Sequence, residues 1–152
     1  MIRNIKLFWK LPIREKMLFA EAWFLLGIMQ VLITTVSFKR LTRSLCQSST
    51  NVELSPLNDD QAAVAIQVGE IIGRAANNTP WESVCLTQAL TAQKMLKKRD
   101  IPGVFYLGVK KGGTDRKKLE AHAWSQCDNM IITGERGHES FTTLSVYEWG
   151  GK

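Results

Sequence analysis

Residues 119–133 read Leu119-Glu120-Ala121-His122-Ala123-Trp124-Ser125-Gln126-Cys127-Asp128-Asn129-Met130-Ile131-Ile132-Thr133. Leu119, Ala121, Ala123 and Ser125 alternate with Glu120, His122, Trp124 and Gln126, the period of a strand with two unlike faces. Asp128-Asn129 suits a two-residue hairpin turn, and Met130 to Thr133 returns as the next strand. Such a hairpin sets Cys127 opposite Met130, Thr133 opposite Trp124 and Glu135 opposite His122. A bulge at Gly134 would change that register.

Working outward, Val104 to Val109 is a short apolar and aromatic run that predicts a buried strand, followed by a basic loop from Lys110 to Lys118. Phe141 to Tyr147 predicts a further strand. Upstream, apolar residues recur at Ala62, Ile66, Gly69 and Ile72 or Gly73, predicting a helix over residues 59–76. Asn58 or Asp59 would cap it and Asn77-Asn78 would end it. Thr79-Pro80-Trp81-Glu82 has the form of a capping box for a second helix running to about Arg99. Ser83 is an alternative cap. Pro102-Gly103 stops that helix. Helices precede an antiparallel meander, so the fold class is α+β.

Met17 to Phe38 is the most apolar stretch, uncharged from Ala22 onward and flanked by basic residues on both sides. It is read as a buried or partner-binding helix, an interfacial helix or a membrane span. Lys39, Arg40 and Arg43 follow it in place of a small-residue cleavage motif, which argues against a signal peptide. From Cys46 to Asp59 the chain is rich in Ser, Asn, Thr, Pro and Asp and reads as a linker. The chain therefore divides into an N-terminal helical extension, residues 1–50, and a second domain, residues 51–152.

With 152 residues, 45% hydrophobic and 22% charged, the composition is that of a folded protein. The net charge of +6 comes from basic residues in three places, Lys6 to Lys16, Lys39 to Arg43 and the 110–118 loop. No aromatics alternate with them, so no nucleic-acid partner is expected. Cys46, Cys85 and Cys127 are widely spaced and form no CxxC pair, and the two histidines are His122 and His138. No disulfide framework, metal site or cofactor is expected, and a reducing cytoplasm is the simplest compartment.

Cys85 lies near the start of its helix, where free backbone N–H groups and the helix dipole stabilise negative charge. A thiol nucleophile needs a base within hydrogen-bond reach, and His122 on the sheet is the candidate. The base in turn needs an orienting acceptor. Asp128 in the turn would lie ~20 Å along the strand from His122 at about 3.3 Å per residue, so the hairpin register favours Glu135. Trp81 and Trp124 are candidates for the substrate groove, with core packing as their other duty. Cys127 has the opposite parity to His122 and is read as structural, and His138 falls in a loop.

The segments Pro80-Trp81-Glu82-Ser83-Val84-Cys85-Leu86, Arg99-Asp100-Ile101-Pro102, Leu107-Gly108-Val109 and Ala121-His122-Ala123-Trp124 resemble the transglutaminase-like core, a papain-like arrangement. More closely they resemble the cysteine protease of lasso-peptide biosynthesis. The resemblance covers roughly residues 59 to 145, and the N-terminal segment is similar to the helical extension of that family. It implies a leader peptidase that cuts a ribosomally made precursor before an ATP-dependent cyclase closes the macrolactam. A separate leader-recognition protein is implied as a partner. Nucleophile and base carry over to Cys85 and His122. Where relatives place an Asp, this chain reads Thr133-Gly134-Glu135, so either Glu135 or a backbone group orients the imidazole. The implied location is cytoplasmic, with residues 17–38 available for association with the inner face of the membrane. The rival readings are a transglutaminase-like acyl transferase and a non-catalytic module that binds the precursor or the cyclase.

Overall fold

A computed structural model describes residues 9–43, 45–48, 52–113 and 118–150. Arg116 and Lys117 of the basic loop lie outside the described residues, as does the side chain of Cys46.

Helix α1 (Ile13–Thr35) starts after Pro12, whose missing N–H would have no helical partner there in any case. Near its end, Thr34 and Thr35 donate their hydroxyls back to the carbonyl of Val31 at 2.8 Å each. Ala22, Leu26 and Met29, one face of the helix at spacings of four and three, are buried against the core. Glu21 anchors the same helix. Its carboxylate accepts from Arg99 Nη2 at 2.7 Å and Nη1 at 3.2 Å, and pairs with Lys98 at 3.3 Å. The Arg99 hydrogen bond outweighs the opposing burial and holds the Glu21 carboxyl below its ordinary value. A carboxylate depressed on folding stabilises the fold above its unfolded titration and loses that contribution as pH falls through the folded one. Glu21→Gln should therefore cost about 1 kcal/mol near neutral pH, with the difference from wild type closing in acid. Thermal melts across pH check this, and a pH-independent difference would refute it.

A short helix, α2 (Phe38–Leu41), leads to β1 (Cys46–Ser48), so part of the expected linker is a strand. Helix α3 (Asp59–Ala76) opens with a reciprocal capping box: Asn58 Oδ1 accepts from Gln61 N at 2.8 Å and Asn58 N donates to Gln61 Oε1 at 3.2 Å. Its buried face is Ala65, Val68, Ile71, Ile72 and Ala75. The helical period was legible, but its phase differs from expectation: Ile66 is 48% exposed. Gly69 lies against β4, where an added Cβ would stand 2.5 Å from the Ile132 carbonyl oxygen.

Helix α4 (Cys85–Lys97) is followed by β2 (Gly103–Lys111), β3 (Leu119–Cys127), β4 (Met130–Thr133) and β5 (Thr142–Trp149). The antiparallel sheet has the order β1-β5-β2-β3-β4. The expected meander holds only for β2 to β4; β5 crosses back to pair with β2 rather than β4. Phe105, Ala123, Cys127, Tyr147 and Trp149 join α1, α3 and α4 in one core. Phe105 stacks on Tyr147 at 4.9 Å, and Trp149 Nε1 donates to the Ile101 carbonyl at 2.9 Å. Both α1 and β1 belong to this unit, so the division at residues 50 and 51 runs through a single core and a single sheet.

Candidate active site

The chain does not enter α4 through the capping box expected at Thr79. Thr79 Oγ1 instead donates to either of two carbonyl acceptors, Ala76 and Trp81, and meets Ser83 Oγ at 3.0 Å. These contacts use Thr79 and Ser83 to close a turn. Val84 is the N-cap, without a side-chain cap bond, and Cys85 is the first helical residue. The thiol thus stands where the N–H groups of Cys85, Leu86 and Thr87 have no intrahelical acceptor. Its side chain is half-buried against the core.

His122 is held from the other side of the hairpin. Its Nε2 is 2.7 Å from the Gly134 carbonyl oxygen. A carbonyl can only accept, so Nε2 carries the proton, and in the neutral ring Nδ1 keeps the lone pair a base requires. The ring packs on Phe141 at 5.0 Å and Trp124 at 5.9 Å, and Trp124 stacks on Tyr106 at 5.3 Å.

The expected partner Glu135 does not stand opposite His122. Cys127 does face Met130, but a bulge then pairs Thr133 with Ser125 instead of Trp124, leaving Ile132 as the extra residue. The Ser125 and Thr133 hydroxyls, 2.7 Å apart, mark the new register. The ladder ends there, and Gly134 turns the chain with φ +76°. A side chain could have been recognised as an acid from sequence; a backbone acceptor depends on the turn. Asp128 is used elsewhere, accepting from Leu57 N at 3.2 Å.

The alternation of β3 points Ala123 toward the helices and His122 to the opposite face. Among the described residues, no hydrogen bond joins Cys85 to His122. The pairing of β3 with β4 ends at Ser125 and Thr133, and past it the turn at Gly134 lies against Ala123, Trp124 and the His122 ring.

Trp81 lies against Trp23 at 5.2 Å and close to Gly27, a packing position between the α3–α4 loop and α1. Among the described residues, its buried Nε1 has no hydrogen-bond partner. Trp124, 5% exposed, packs beside the imidazole and is a wall of the site at most. His138 donates from Nδ1 to the Glu135 carbonyl at 2.6 Å, and its ring is 5.6 Å from Trp124, so the loop histidine borders the same aromatic cluster. Cys127 is fully buried, and burial pushes its thiol up to about 12. In the folded protein, iodoacetamide at mildly alkaline pH should modify Cys85 and leave Cys127 intact, as peptide mapping would show. Equal labelling of the two would contradict the packing described.

No curated protein and no solved structure matches the chain. A family model for the transglutaminase-like superfamily matches residues 29–146, a range that holds Cys85, His122 and Gly134 and runs from the last turns of α1 into β5. With well over half of its 152 residues inside that match, the chain belongs to the transglutaminase-like superfamily.

Proposed function

We propose that the chain is a cysteine peptidase that removes the leader from a ribosomally made lasso-peptide precursor before macrolactam closure. The superfamily is compatible with cysteine-protease and acyl-transfer chemistry alike. The observation that carries the chemistry is the placement of Cys85 as the first residue of α4, inside the segment that matches the superfamily. The resemblance of the Pro80–Leu86 and Ala121–Trp124 segments to lasso-peptide proteases supports the choice of substrate.

In this mechanism His122 Nδ1 takes the thiol proton while Nε2–H stays on the Gly134 carbonyl. Cys85 packs on the helix side of the sheet and His122 lies on the opposite face, so this transfer requires a rearrangement that brings thiol and ring together when substrate binds. The Cys85 sulfur attacks the scissile carbonyl carbon, and N–H groups at the α4 N-terminus stabilise the oxyanion. The imidazolium returns its proton to the departing amine of the core peptide. Water, deprotonated by the same ring, then opens the thioester and frees the leader acid. A separate recognition protein presents the leader, and the ATP-dependent cyclase consumes the freed amine.

The test is incubation of the protein with precursor and recognition protein, with products read by mass spectrometry. Cleavage at the leader–core junction is the expected result. An amine-capped leader as the main product with added amine would move the assignment to acyl transfer. Glu135→Ala should keep the rate within about threefold, since Gly134 supplies the acceptor; a loss of two orders of magnitude would restore Glu135 as the third catalytic group.

A further inference from the structure

Helix α1 carries a second face that the core does not use. Ile13, Met17, Phe24, Ile28 and Val31 are 70%, 67%, 65%, 51% and 59% exposed. At 100° per residue they fall on one side of the helix, opposite the buried Ala22, Leu26 and Met29. The stripe is uncharged and about 27 Å long at 1.5 Å per residue. Trp9, 73% exposed, stands just before it, with Lys16 Nζ donating to the Trp9 carbonyl at 2.9 Å.

Charge is concentrated on the same segment. Eight of the 20 Lys and Arg and two of the 14 Asp and Glu lie before Ser44; beyond it, the 12 of each sign cancel. Among the described residues, Lys10, Arg14 and Lys16 sit at one end of the stripe and Lys39, Arg40 and Arg43 at the other. Of the two acids, Glu21 is already paired with Arg99 and Lys98.

We propose that α1 lies in the plane of an anionic phospholipid bilayer, with the stripe from Ile13 to Val31 seated among the acyl chains and the basic ends on the headgroups. An apolar helix face with an interfacial Trp and cations at both ends fits that boundary. Spanning is disfavoured by the other face. Crossing would strip Ala22, Leu26 and Met29 from the core and break the Glu21–Arg99 pair and the 3.0 Å bond from Thr87 Oγ1 to Gln30 Oε1. That last bond ties α1 to the first turn of α4, so the Cys85 helix would be held one helix layer above the lipid.

The test is flotation of the full chain with vesicles of phosphatidylcholine alone or with added phosphatidylglycerol. Binding should be about tenfold or more tighter to the anionic vesicles and weaken with salt. Ile28→Asp combined with Phe24→Asp should abolish flotation, and Lys39→Glu with Arg40→Glu should remove the preference for anionic lipid, each with an unchanged thermal melt. Peptide cleavage in solution should be the same for these variants as for wild type, which separates this outcome from the fate of the peptidase reading. Three results would overturn the proposal: no flotation of wild type, binding that survives both double substitutions, or a dimer in solution that Ile28→Asp dissociates while vesicles leave the chain unbound. Resistance to carbonate extraction would replace in-plane docking by a span.

Discussion

Cys85→Ala should lower the rate of leader cleavage by about a thousandfold or more, because the Cys85 sulfur is the atom that forms the thioester in the proposed mechanism. The substitution removes one sulfur from a half-buried position at the start of α4, so the thermal melt should move little. His122 gives the matching experiment. His122→Gln keeps an N–H donor near the Gly134 carbonyl but cannot cycle a proton, and it should fall to a comparable residual rate. The two losses should not add in the double variant, since groups that act on one proton fail together. Mass spectrometry of timed reactions measures all three. Undiminished cleavage by Cys85→Ala would sink the nucleophile assignment, and undiminished cleavage by His122→Gln would leave the thiol to another base.

Gly134→Ala should be strongly destabilising. The residue has φ +76°, and an added Cβ would stand 2.4 Å from the Ala123 carbonyl oxygen and 2.9 Å from Trp124 Cβ. The left-handed backbone alone costs an alanine about 1 kcal/mol. Displacing a backbone neighbour raises the total to about 2–4 kcal/mol, a fall in Tm of roughly 5–15 °C for a domain of this size. Activity should fall further than stability explains, because the carbonyl that holds His122 Nε2 moves with the turn. Gly137→Ala is the control. It has φ +74° but, among the described residues, nothing within 4 Å of an added Cβ, so it should show only the backbone cost. Equal effects at the two glycines would show that the close approach at Gly134 is not a constraint.

What could be read from the chain itself depended on local pattern. The alternation of residues 119–127 located β3 to the residue, because side chains on a strand have a period of two and the two faces differ. Asn58, one of the two candidate caps, marked the start of α3, and its reciprocal bonds with Gln61 came from the structure. The pairing of Cys127 with Met130 followed from the two-residue turn. The apolar run before Lys39 announced a helix, and its separation into a core face and an exposed face needed the packed structure.

Other features depended on contacts between distant parts of the chain. Thr79 satisfies the rule for a cap, yet its hydroxyl is taken by Ala76, Trp81 and Ser83, and the helix waits until Cys85. The return of β5 beside β2, and the addition of β1 at the edge, are long-range pairings with no local signature. The bulge at Ile132 shifts the hairpin by one residue and removes Glu135 from the position opposite His122.

The sequence by itself determined the α+β class, the transglutaminase-like superfamily and the order of a thiol on a helix before an imidazole on a strand. Those properties follow from residue types at fixed short spacings. Only the tertiary structure decided which atom holds the imidazole, how the N-terminal helix divides between core and surface, and that residues 46–48 close the sheet. A backbone carbonyl is the same at every position, and only the turn of the chain aims the one at Gly134 toward His122.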